Sequence, residues 1–142
     1  MIQRVQTIFL LGAFFLNASH FFTSMAYNIE EKVRYTQMVP FLILVIITTL
    51  ISFFSVFLYR HRIAQIRVSV FNSVILAAYQ AWIIYLFFTR PEGSVFSVTA
   101  LFPLVSMSLT LTAIKYIARD EALVRSLNSL RKSRDNARKK KK

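Results

Sequence analysis

The sequence predicts an all-α polytopic membrane fold: an antiparallel bundle of four transmembrane helices followed by a basic cytoplasmic helix. Three observations carry that expectation. Of 142 residues, 56% are hydrophobic, too many for an ordinary soluble domain of this length. Residues 5–29, 35–59, 68–89 and 93–114 carry no Asp, Glu, Lys or Arg. Finally, the net charge of +12 is crowded into short segments between and after those stretches.

A helix needs about 20 mostly apolar residues to cross the hydrocarbon core, and each uncharged stretch has room for one. The spans are expected near 7–27, 39–59, 68–88 and 94–114. Transmembrane β-strands would alternate apolar and polar residues, which the run from Phe41 to Phe54 does not do. Connections this short make successive helices antiparallel neighbours.

Orientation follows from the loops, because Lys and Arg are retained on the cytoplasmic side. Arg60, Arg62 and Arg67 fill the middle loop with no acid, whereas Glu30 and Glu31 offset Lys32 and Arg34, and Glu92 offsets Arg90. Both termini are therefore expected in the cytoplasm, with the protein in a cell inner membrane. A cleaved signal peptide ending near Ser24–Met25–Ala26 is the competing reading of the first stretch. It is disfavoured because apolar character runs on through Phe21 and Phe22.

With two glycines and no GxxxG, close packing must use Ser, Thr and Ala; Ser106, Thr110 and Ala113 share a face of the fourth span, which Pro103 should kink. Polar groups in lipid are expensive, so Asn17 and His20 on one face of the first span, and Asn72 and Gln80 in the third, are candidates for a pathway or for interhelical hydrogen bonds. No charged residue sits mid-span, which disfavours an ion-coupled transporter. The Asn17–Ala18–Ser19 sequon falls inside a span and is set aside. No cysteine, HExxH, paired carboxylates or phosphate loop is present, so no enzyme, cofactor or metal site is expected.

Two units are expected, a bundle over 1–117 and a cytoplasmic amphipathic helix with a basic tail over 118–142. Leu123, Leu127 and Leu130 form an apolar stripe. Beyond them Arg131, Lys132, Arg134, Arg138, Lys139, Lys140, Lys141 and Lys142 are opposed by Asp135 alone. Such a tail is a solvated topology signal, a contact for anionic lipid, or a contact for the phosphates of ribosomal RNA. No aromatic residue interleaves the charges, so base stacking is not expected.

Ile2–Gln3–Arg4, Gln65 with Arg67, Leu101–Phe102–Pro103, Asp120–Glu121 and Val124–Arg125–Ser126 resemble a domain-of-unknown-function family of small four-span membrane proteins of Bacteroidota. The likeness covers nearly the whole chain and implies four spans in a Gram-negative inner membrane and no established activity. Asn128 departs from an acidic residue of that family. Arg4, Arg67, Asp120, Glu121 and Arg125 should gather at the cytoplasmic edge, where Arg4 or Arg67 pairs with Asp120 or Glu121, as a structural collar or a partner surface.

The functional expectation is a non-enzymatic accessory subunit of an inner-membrane complex, in its concrete form an export or insertion translocon docking to ribosomes through the tail. A small transporter or channel running past Asn17, His20, Asn72 and Gln80 is the alternative. The partners expected are membrane lipids, other inner-membrane proteins and ribosomal RNA, with no small-molecule substrate.

Overall fold

The computed structural model describes the chain at residues 2–27, 32–89 and 94–139, with side chains at 5–27, 32–89, 94–134 and 136. Four helices dominate: α1 Ile2–Ser19, α2 Val39–Phe57, α3 Arg62–Phe88 and α4 Phe102–Lys139. α2, α3 and α4 are long and apolar enough to cross a membrane. α1 is shorter, with 18 residues. Neighbours pack in a ring, α1 on α2, α2 on α3, α3 on α4 and α4 on α1, which leaves α1 and α3 diagonally opposed.

Each helix buries one seam with alternating steps of three and four residues. In α1 it runs Gln6, Leu10, Ala13, Asn17 and on to His20; in α2 Phe41, Val45, Thr48, Ser52, Ser55; in α3 Gln65, Ser69, Asn72, Leu76, Tyr79, Ile83; in α4 Ser106, Thr110, Ala113, Ile117. That spacing keeps one stripe facing a neighbour along a gently supercoiled helix. The polarity is inverted relative to a water-soluble core. Hydroxyls and amides face inward while Phe22, Phe54, Phe57, Phe71, Val74 and Phe88 face out. Small polar side chains let backbones approach, and several return their hydrogen bond to the preceding turn: Thr48 to the Leu44 carbonyl at 2.8 Å, Thr110 to that of Ser106 at 2.8 Å.

The expected ends of two spans are corrected. Residues 24–27, assigned to the first span, form strand β1 (Ser24–Tyr27), paired antiparallel with β2 (Lys32–Arg34) and with β3 (Val95–Phe96). The order is β2-β1-β3, so the two connections at this end of the molecule are joined by one small sheet. The fourth helix starts at Phe102, after strand β3 and a 3-10 turn at Val98–Leu101, rather than at residue 94. The chain is mostly helical, with one small sheet among its connections. An uncharged stretch limits where a helix fits but not whether its last turns pair as strands, and here the freed backbone groups are satisfied between loops. Pro103 consequently lies in the first turn of α4, where its missing N–H leaves no helical bond unmade.

At the opposite end, a 3-10 turn at Leu58–Arg60 joins α2 to α3. α4 does not stop there. Its 38 residues amount to about 57 Å of helix, well beyond the roughly 30 Å of a hydrocarbon core, and residues 122–134 are all exposed. α4 runs uninterrupted through the boundary expected at residue 117.

Candidate functional site

The buried seams converge on a polar lane through the helical body. Its midpoint is Ser52 on α2, whose Oγ accepts from Asn17 Nδ2 on α1 at 3.1 Å and from Asn72 Nδ2 on α3 at 3.0 Å. One turn toward the α2–α3 connection, the Ser55 and Ser69 hydroxyls lie 2.7 Å apart and Gln65 Nε2 donates to the Ser55 carbonyl at 3.1 Å. Across the lane, Ser106 Oγ donates to the Ala13 carbonyl at 3.3 Å, tying α4 to α1.

Toward the sheet the lane ends in an aromatic cage around His20. The imidazole stands edge-on to Tyr35 with ring centroids 4.4 Å apart, and packs on Tyr79 at 5.7 Å and Phe102 at 5.9 Å. Tyr35 donates to Thr99 Oγ1 at 3.3 Å, and Thr99 Oγ1 donates onward to the Ser24 carbonyl at 2.9 Å, which binds the cage to β1. Burial pushes the Tyr35 hydroxyl up to about 12.

Within this lane Asn17 Oδ1, Asn72 Oδ1, both nitrogens of His20 and the Tyr79 hydroxyl are buried without a hydrogen-bond partner. A buried polar atom left unpaired costs about 1–3 kcal/mol, so a group of them marks a place suited to small hydrogen-bonding guests. Gln80 Oε1, on the same helix as Asn72 and Tyr79, is likewise buried without a partner. It is set in a lateral apolar groove of about 510 Å³ with Ile83, Phe87, Phe96 and Leu101.

The second feature is at the other end. Arg62, at the start of α3, pairs with Asp120 on α4 at 2.6 Å, and Glu121 pairs with Arg125 one turn along at 2.9 Å. The acids thus meet basic partners at this edge, and among the described residues the partner of Asp120 is Arg62 rather than Arg67. Arg67 lines a groove with Arg60, His61, Arg62 and Glu121. Farther out, Leu123, Leu127, Leu130, Arg131, Lys132 and Arg134 are exposed on the α4 arm. The side chains of Arg4, Arg138, Lys139, Lys140, Lys141 and Lys142 lie outside the described residues.

A family model, Domain of unknown function (DUF4293), matches residues 2–130, which takes in α1 to α3, α4 as far as Leu130, both features and the leucine stripe. The chain belongs to the DUF4293 family. No curated protein and no solved structure matches it. For this DUF4293 protein, reading the sequence found Asn17, His20 and Asn72 but missed Ser52, Ser55 and Ser69, and singled out Gln65 only beside Arg67, not for its bond to Ser55. The available signal was the repeat of hydroxyl and amide residues at steps of three and four inside otherwise apolar runs. Arg62 was read only as a topology charge. Among the described residues no group of three or more His, Asp or Glu is placed to hold a metal.

Proposed function

We propose that this protein is a non-enzymatic accessory subunit of an inner-membrane complex, with four membrane-crossing helices as anchor, both termini cytoplasmic, and the α4 arm as its docking element. The observation that carries the reading is the arm itself: an unbroken helical continuation of α4 whose Leu123, Leu127 and Leu130 are each more than half exposed and belong to neither buried cluster of the described residues. An apolar stripe beside a basic end fits an amphipathic partner with phosphates nearby. In its concrete form the partner is an export or insertion translocon that meets translating ribosomes, the basic residues from Arg131 onward contacting RNA phosphates. The α1 span would be completed by residues 20–23 before the sheet. The test is recovery of the tagged protein from mild detergent at low and high salt. Translocon or ribosomal proteins that are lost with salt, or with deletion of 131–142, support the reading. Unchanged association after that deletion overturns it.

A second reading is a small transporter or channel for neutral molecules. It is favoured by the unpaired polar atoms of Asn17, His20, Asn72 and Tyr79 inside the helical body. Replacing Asn17, His20, Asn72 and Gln80 by apolar residues should then abolish flux of water or small neutral solutes in proteoliposomes; flux equal to empty vesicles from the unaltered protein removes the reading.

A further inference from the structure

We infer that the groove between the start of α3 and the α4 arm is a binding site for the phosphate headgroup of an anionic phospholipid. This rests on the membrane reading above but not on the docking role of the arm. The groove, of about 800 Å³, is lined by Arg60, His61, Arg62, Arg67 and Glu121, with apolar walls that include Ile63 and Val124.

The charges in it do not balance. Asp120 is committed to Arg62 and Glu121 to Arg125. Among the described residues Arg60 and Arg67 have no ion-pair partner, so two guanidiniums face one opening. α3 begins at this point with no acidic residue in its first turn and no side-chain cap. The positive end of its dipole therefore adds to the guanidiniums instead of being offset. A guanidinium pair is suited to a phosphate because each presents parallel N–H donors to two oxygens.

Two features select a lipid over free phosphate. Arg60 closes the apolar run Val39–Arg60, so the opening lies where a helix leaves the hydrocarbon and headgroups lie. Exposed Phe57 and Tyr59 sit immediately before it on the chain, and the apolar walls continue the groove; these surfaces suit acyl chains and offer inorganic phosphate nothing.

The experiment is native mass spectrometry of the full-length protein released from bilayer nanodiscs containing equal phosphatidylglycerol and phosphatidylcholine. The retained adduct should favour phosphatidylglycerol by about tenfold, the effect of one charge-assisted contact. R60Q/R67Q should abolish the preference, R60K/R67K should keep part of it, and deletion of 131–142 should leave it intact. Both arginines are exposed, so thermal unfolding of R60Q/R67Q should match the parent. A preference that survives R60Q/R67Q, or that disappears with the tail, overturns the site. Displacement by millimolar inorganic phosphate overturns its assignment to a lipid. Unaltered protein that alkaline carbonate washes from membranes overturns the membrane reading beneath it.

Discussion

Asn17 and Asn72, on diagonally opposed helices, are joined through a single atom, the Ser52 hydroxyl oxygen, at 3.1 and 3.0 Å. One serine therefore fastens three of the four helices at mid-height. Ser52→Ala removes both bonds and leaves two buried amides without that partner. It should cost about 1–3 kcal/mol, given that interhelical hydrogen bonds in membranes average well under 1 kcal/mol each but orphaned groups add to the loss. Thermal unfolding in detergent checks it, and a change below the error of the method would mean that the amides find other partners.

The ion pair of Arg62 with Asp120 is only partly exposed, at 23% and 16% for the two side chains. A double-mutant cycle of Arg62→Gln and Asp120→Asn should show coupling of about 1 kcal/mol, more than exposed pairs usually give. The corresponding cycle with Arg67→Gln should show almost none. Equal coupling for both arginines would contradict the geometry.

Alkaline pH should loosen the sheet end. The Tyr35 hydroxyl ionises near 10 in the unfolded chain and is pushed up to about 12 in the fold, so the folded state holds its proton longer. Its contribution is fully present below pH about 10 and is lost as pH rises toward about 12, at about 1.4 kcal/mol per unit. Unfolding followed by circular dichroism should show this slope, and Tyr35→Phe should make it shallower while removing the bond to Thr99.

His20 contributes ring packing to its cage but brings two nitrogens that find no partner there. His20→Phe keeps an aromatic ring and removes the unpaired groups. The melting temperature should stay level or rise, equivalent to about 1 kcal/mol. A fall of 2 kcal/mol or more would mean that the imidazole is hydrogen-bonded in solution.

On the arm, Leu127 and Leu130 are exposed, so replacing both by Ala should change the stability of the body by less than about 0.5 kcal/mol. The same variant should lose co-purifying partners. Retention of every partner would separate the arm from docking.

The helical character and the number of helices were readable from the chain because uncharged runs of about 20 apolar residues, without the alternation of strands, favour helices long enough to cross a membrane. The inward turn of Asn17, His20 and Asn72 was readable because polar groups are expensive in lipid. The meeting of Asn17 with Asn72 at Ser52 was not. It depends on which helices lie side by side, and the spacing along one helix says nothing about the residue opposite. The sheet escaped notice because β1, β2 and β3 are short and come from connections more than 60 residues apart, so no local pattern announces them. The choice of Arg62 over Arg67 for Asp120 was likewise made by where α4 crosses the start of α3. Sequence alone determined which stretches are apolar, where the positive charge collects and that α4 has nothing to stop it. Tertiary structure alone decided which polar groups pair and which stay unpaired, because a hydrogen bond or ion pair needs two groups within about 3 Å and only packing brings them there.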